Sequence, residues 1–296
     1  MTASTCTAAV NLRIATFRLR HAIVGALCAT QFVAVQTYAQ SLQAHPDQLN
    51  NGEDFTRPVW RLDVREQYEN LPDSHGLSPD KWVTTLRGDG WSGVEKGWKL
   101  YGRLEVPLVR SNDVTSSFNP DGDVTFGLGD LLTEFAVITP ATFQRWGFGA
   151  GLRAVWPTAS LNEAGKGKLQ LGPLIGLRAD LPEISRGSFL LTQVRYLNSI
   201  ASRNENKGRG NINQLDIQPK FNIGLPDAWF VAAYAVESIQ INFADDNKLF
   251  LPMDLMVGKK IAGNWVVSLD YSRELLHGKD YEPYEWQLEG RIAYTW

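Results

Sequence analysis

Cysteine is almost missing from this chain of 296 residues, and both copies, Cys6 and Cys28, fall near its start. If the first 39 residues are removed on export, no thiol remains, so neither a disulfide framework nor a thiolate metal site is open to the rest. Histidine is scarce as well: beyond residue 39 only His45, His75 and His277 are left. Long apolar runs are missing too, which excludes a helical membrane span. Nor is there an excess of positive charge. With Arg13, Arg18 and Arg20 set aside, 26 basic residues face 32 acidic ones, a net of about −6, so nucleic acid is not an expected partner.

Residues 1–39 have a composition of their own. The three arginines precede an apolar run from Ala22 to Val35, and "QTYA" follows with small residues at Thr37 and Ala39. A charged stretch, a short apolar core and a small-x-small site predict a cleaved signal peptide. Leu27 stands where a lipidated Cys28 would need a small residue, so a lipid anchor is excluded. Residues 40–56, with "QSLQAHPDQLNNGED", form a polar lead or plug, and 57–296 the folded body.

What is plentiful is glycine and aromatic residues: 26 Gly, 10 Trp, 9 Tyr and 13 Phe. They accompany a period-2 alternation that recurs along nearly the whole body and predicts β-strands. The final stretch "YEWQLEGRIAYTW" places Trp286, Leu288, Gly290, Ile292, Tyr294 and Trp296 on one face and Glu285, Gln287, Glu289, Arg291, Ala293 and Thr295 on the other. In "RWGFGAGLRAVWP" the apolar face runs Trp146, Phe148, Ala150, Leu152, Ala154, Trp156, against Gly147, Gly149, Gly151 and Arg153. Further strands are predicted near 59–69, 81–88, 98–110, 123–138, 168–181, 188–200, 211–225, 228–242, 247–258 and 264–275. The total is about twelve, with ten as the alternative because the N-terminal third is weakly patterned.

A β-sandwich would also alternate. Several of these strands are long for a sandwich, however, and aromatics recur at the ends of the apolar faces, as two interfacial girdles require. The polar faces carry Arg with Asp or Glu, which suits an enclosed wet interior. The fold class expected is therefore all-β, a transmembrane antiparallel β-barrel, whose closure leaves no sheet edge in lipid. If the chain ends on the periplasmic side, the outer links ("LHGKDYEP", "ASRNENKGRG", "TASLNEAGKG", "SNDVTSSFNPDG", "NLPDSHGLSPD") are longer than the inner ones ("KKIAG", "PD", "PEISRG", "TPATFQ"), the order seen in Gram-negative outer-membrane barrels. The short outer "FADD" and the long inner "DGWSGVEKG" depart from it.

The segments "FGLGDLLTEF", "GFGAGLRAVWPTAS", "GKGKLQLGPLIGL", "INQLDIQPKFNIGLPDAWF" and "LFLPMDLMVGKKI" follow one another in an order that resembles the meta-pathway-of-phenol-degradation family of outer-membrane transporters. The resemblance covers residues 120–296. It implies an outer-membrane barrel passing small solutes, hydrophobic or aromatic ones among them, and a C-terminal strand recognised by the barrel-assembly machinery. It implies no catalytic residues and no cofactor.

Candidate chemistry outside that picture is thin. His277 could pair with Ser272, Asp280 or a loop acid in an outer-membrane hydrolase, but no nucleophile motif accompanies it. "FGLGD" lacks the lysine and hydroxyl of a phosphate loop. Asn119, Asp121 and Asp123 start like a calcium loop without its closing glutamate, so a polar turn is expected. The site expected instead is the lumen wall. Arg103, Glu105, Asp130, Glu134, Arg153, Arg178, Asp180, Arg195, Asp216, Lys220, Asp254, Asp270, Glu289 and Arg291 are its lining candidates, with Arg61, Arg65 and Glu285 in the same phases and Phe126, Leu128 and Leu174 as apolar members. Facing charges either zip a narrow lumen shut or line a selective path. The expected function is a transporter or channel in contact with outer-membrane lipid; a non-conducting structural barrel is the alternative.

Overall fold

The computed structural model describes residues 50–73, 76–116, 119–140, 145–202, 210–244, 246–261, 264–278 and 281–296. The predicted signal peptide, His45, His75 and Asp280 lie outside the described residues.

Fourteen strand segments make one closed sheet. They are β1 (Arg61–Asn70), β2 (Asp80–Gly93), β3 (Lys99–Asn112), β4 (Thr125–Leu128), β5 (Leu131–Ile138), β6 (Trp146–Trp156) and β7 (Lys168–Asp180). The series continues with β8 (Phe189–Ser202), β9 (Asn213–Gly224), β10 (Trp229–Ala233), β11 (Ile239–Asn242), β12 (Lys248–Ile261), β13 (Trp265–His277) and β14 (Trp286–Thr295). β4 and β5 both pair with β3, and β10 and β11 both pair with β9 and β12, so each couple is one interrupted strand and the barrel has twelve. All pairings are antiparallel between chain neighbours, and β14 closes on β1 from Arg61↔Thr295 to Asn70↔Trp286. No helix among the described residues is long and apolar enough to cross a membrane.

Alternation decides which face meets what. In β7, Lys168, Gln170, Leu174 and Arg178 are buried while Leu171, Ile175 and Leu177 are exposed. Trp146, Phe148, Leu152 and Trp156 of β6 are likewise exposed. A chain that buries Lys and Arg and exposes Leu and Trp is inside out for water and correct for hydrocarbon. The aromatics gather in two bands. Trp60, Trp265, Tyr294 and Trp296 stack at one rim, with centroids 5.0 to 6.2 Å apart; Tyr68, Trp82 and Trp286 meet at the other, 5.0 and 5.2 Å apart. The first rim carries the shorter links, the arrangement of the periplasmic side in outer-membrane barrels.

Two expectations need correction. β2 runs to Gly93, well past the expected 81–88, pairing with β3 without a break from Asp80↔Asn112 to Gly93↔Lys99; most of "DGWSGVEKG" is thus strand, and the inner link is only 94–98. Phe126 and Leu128 face outward. The stretch 123–138 is interrupted at Gly129 and Asp130, where the register against β3 slips by one, from Leu108↔Leu128 to Glu105↔Leu132. A slip of one residue exchanges the two faces, so the phase of Glu134 does not carry back to Phe126, which is 68% exposed.

Candidate functional site: the charged lumen

The strand period sets the inner surface. Residues two apart share a face, and in this lumen many such couples pair an arginine with an acid. Arg61 reaches Asp63 at 2.7 Å, Arg65 reaches Asp63 at 3.2 Å, and Arg178 reaches Asp180 at 3.3 Å. Arg291 reaches Glu289 at 2.7 Å, Arg103 lies 3.8 Å from Glu105, and Arg87 grips Asp89 through two guanidinium nitrogens. Neighbouring strands add cross-links. Arg153 reaches Glu134 at 2.6 Å, Arg103 reaches Asp89 at 3.1 Å, and Arg195 lies 3.7 Å from Asp216. Buried charges persist only when paired, and these are.

Residues 50–57 enter this interior. The Asn50 side-chain amide donates to the Arg57 carbonyl at 3.1 Å, closing a loop whose tip is Glu53, Asp54 and Phe55, all buried. Gly52 makes the turn with φ +77, where Arg61 lies too close for a side chain. The Glu53 carboxylate meets three cations: Lys220 at 3.0 Å, Arg61 at 3.2 Å, and Arg291. Asp54 accepts from Arg178 at 2.9 Å, and Arg57 pairs with Asp180. Phe55 lies 6.0 Å from the Tyr101 ring and packs with Ile138, Leu174 and Leu191. Its ring tip faces the cross-strand couple Gly149↔Gly176, where an added Cβ would come within 2.6 and 2.4 Å of it.

Among the described residues, three cavities follow one another along the axis. One of about 730 Å³ opens at the periplasmic rim beside Asn50, Arg57 and Asp180. A central one of about 220 Å³ is bounded by Glu53 and Phe55 below and by Arg65, Arg87, Arg153 and Arg195. An outer one of about 600 Å³ is bounded by the loop 157–167. That loop is tied down by Asp130, whose carboxylate accepts from the backbone N–H of Ala159, Lys166 and Gly167 at 3.1, 2.7 and 3.2 Å.

Of the lining candidates, Arg103, Glu105, Glu134, Arg153, Arg178, Arg195, Asp216, Lys220, Glu289 and Arg291 join these ion pairs, and Asp180 guards the periplasmic mouth. Asp130 instead anchors a loop. Asp254 caps the interruption between β10 and β11, accepting from the N–H of Ala235, Val236 and Glu237 at 2.8, 3.3 and 2.6 Å. Asp270 is buried opposite Glu289 on the neighbouring strand. Glu285 is exposed at the rim and does not face inward. Arg87 and Asp89 are lumen residues missing from the candidates: Asp89 lies just past the expected 81–88 strand and Arg87 at its weakly patterned end, though their Arg-x-Asp spacing repeats that of Arg61 and Asp63. Glu53 and Asp54 fall in the stretch expected as a polar lead or plug, but nothing in their spacing marks them as lumen ligands; the one hint is an aromatic, Phe55, beside them.

Among the described residues, the expected pairing of His277 with Ser272 does not form. Its Nδ1 lies 2.5 Å from the Glu274 carboxylate, whereas the Ser272 hydroxyl is buried against the Tyr284 phenol at 2.7 Å. Glu282 completes that outer cluster, its carboxyl pushed up to about 7 by burial and by the neighbouring Glu274. Asn119 makes a polar turn, donating to the Val114 and Asp123 carbonyls at 3.3 and 2.8 Å.

No family model and no curated protein matches this chain. Solved structures do. The COG4313 outer membrane channel from Pseudomonas putida F1 aligns over 80% of this chain and 96% of its own, with 13% identity and a TM-score of 0.60. A NanC porin aligns over 79% and 98%, with 14% identity and a TM-score of 0.50. The outer membrane phospholipase A from Escherichia coli aligns over 85% and 98%, with 12% identity and a TM-score of 0.47. At the identities of the first two the likeness is one of fold: a closed twelve-stranded barrel of the Gram-negative outer-membrane type.

Proposed function

We propose that this barrel is an outer-membrane channel for small solutes, closed in the present state by its own residues 50–57. The observation that carries this reading is the run of three cavities along one ionised axis, with the tip Glu53-Asp54-Phe55 between the periplasmic and central ones. An interior held only for stability would be filled by side chains, as in eight-stranded barrels; here the wall charges pair along the wall and leave volume between. Residues 1–39 serve as the export signal and 40–56 as the plug-bearing lead. The terminal strand, ending in Tyr294 and Trp296, is the segment offered to the barrel-assembly machinery. The family resemblance favours hydrophobic or aromatic solutes. Reconstitution in planar bilayers tests the proposal: discrete conductance steps that grow when residues 40–57 are removed support it, and a silent barrel after that removal refutes it.

A non-conducting structural barrel is supported by the density of ion pairs around Arg87, Asp89, Arg103 and Glu105. The same recordings separate the two. Catalysis draws no support from His277, whose ring nitrogen contacts a carboxylate instead of a hydroxyl.

A further inference from the structure

Lys220 sits on the inner face of β9, buried, and both of its hydrogen bonds go to one residue of the inserted segment. Its ammonium donates to the Glu53 carboxylate at 3.0 Å and to the Glu53 carbonyl at 3.2 Å. Arg61 and Arg291 keep wall partners, Asp63 and Glu289, whatever the segment does; Lys220 depends on it. Take the segment away and a buried ammonium faces the lumen beside two guanidinium groups. Two residues along, Phe55 leaves a second vacancy of different character. It is a flat slot floored by Gly149 and Gly176 and walled by Tyr101 and Leu191, where a side chain on either glycine would collide with the ring. One site takes a carboxylate and its neighbour takes a ring.

We infer that the cradle of Arg61, Lys220 and Arg291, together with the Gly149–Gly176 slot, binds a small organic acid carrying a planar ring, and that Glu53 and Phe55 occupy it as a tethered stand-in. The inference rests on the lumen being a solute path. It adds that the solute's own chemistry displaces the plug, because solute and segment compete for the same cations and the same slot. A site already filled by its tether shows an affinity reduced by the fraction of time it stands open.

The test is calorimetric, on the full-length barrel in detergent micelles, with three probes. These are 3-phenylpropionate (ring and carboxylate), butyrate (carboxylate alone) and 3-phenylpropanol (ring alone). Glu53→Gln combined with Phe55→Ala frees the site, and the affinity for 3-phenylpropionate is expected to rise about tenfold or more over the parent protein, as for a tether seated nine-tenths of the time. Adding Lys220→Met should cancel that gain. Butyrate and 3-phenylpropanol should each gain less. If the double variant loses its strand circular dichroism, Glu53→Gln alone carries the test with a smaller gain of the same order among the probes. An unchanged affinity for 3-phenylpropionate, or equal gains for all three, overturns the inference. Conductance is recorded on the same preparations. A conducting barrel without the affinity gain sinks the site and spares the channel; the gain in a barrel that never conducts upholds the site and sinks the channel.

Discussion

Substituting Gly176 by alanine should open the barrel, although the change adds a single methyl group. The new Cβ would lie 2.4 and 2.5 Å from two carbons of the Phe55 ring, well inside contact distance, and Gly149 on the neighbouring strand leaves no room to slide across. The ring must withdraw. Phe55 is only 5% exposed, and burying a phenyl side chain contributes about 1.5–3 kcal/mol, so its withdrawal shifts the seated-to-free balance of the segment by about 2 kcal/mol, or about thirtyfold in population. Single-channel recording reads that shift as open time. Phe55→Ala should give a similar rise, because it removes the same contact from the other side. The double variant should open little further than either single one, since residues sharing one contact are not additive. Closed-state occupancy that stays at the parent level in Phe55→Ala would refute the argument, and so would effects that simply add.

Other consequences are open to measurement. Asp130→Ala removes the acceptor for three loop N–H groups, which should cost about 1–3 kcal/mol locally; hydrogen exchange across 158–167 should speed up while the strands stay protected. Asp254→Asn turns a donor toward N–H groups that need acceptors and should lower the urea midpoint in lipid vesicles by an amount equivalent to about 1–3 kcal/mol. Glu282 holds its proton up to about pH 7 in the folded rim and loses it earlier when released. Its contribution to rim order is therefore greatest below the usual carboxylate range and falls as pH rises through 7. Hydrogen exchange in 281–285, taken relative to its intrinsic rate at each pH, should quicken between about pH 5 and 7, and Glu282→Gln should flatten that dependence.

The barrel was legible because its two solvents demand opposite faces. β6, β7, β9 and β14 announce themselves by alternation alone, and aromatic ends mark where they leave the lipid. What stayed hidden has physical reasons. The end of β2 reads as a turn, with Gly88, Gly90 and Gly93 close together; it is strand because β3 supplies a continuous ladder, and closure rewards pairing whatever the side chains prefer. The break at 129–130 is invisible to a period count, since a slip of one conserves the pattern on each side and only inverts it, and the break at 234–238 is invisible because its slip of two leaves the phase unchanged. Residues 50–57 show no alternation that would mark them as part of the lumen. Polar character signals exposure in a globular protein, but here the interior is the polar phase, so a segment such as Asn-Gly-Glu-Asp belongs inside.

Whether the wall charges lock the lumen is decided by where each pair runs. Arg61–Asp63, Asp63–Arg65, Arg87–Asp89, Arg103–Glu105, Arg178–Asp180 and Glu289–Arg291 are all two apart on a single strand. Glu134–Arg153 and Arg195–Asp216 join adjacent strands at registered positions. Such pairs lie flat along the wall, neutralise it, and hold nothing across the axis. Among the described ion pairs, strands that are not neighbours are joined only through the inserted segment, where Glu53 ties β9 to β14 and β1. Breaking a wall pair should therefore change what the lumen prefers without opening it, whereas releasing Glu53 should open it without altering the wall. Arg153→Gln and Glu53→Gln set side by side make the comparison. Equal effects of the two on ion preference and on open time would mean the wall and the segment are not separate devices.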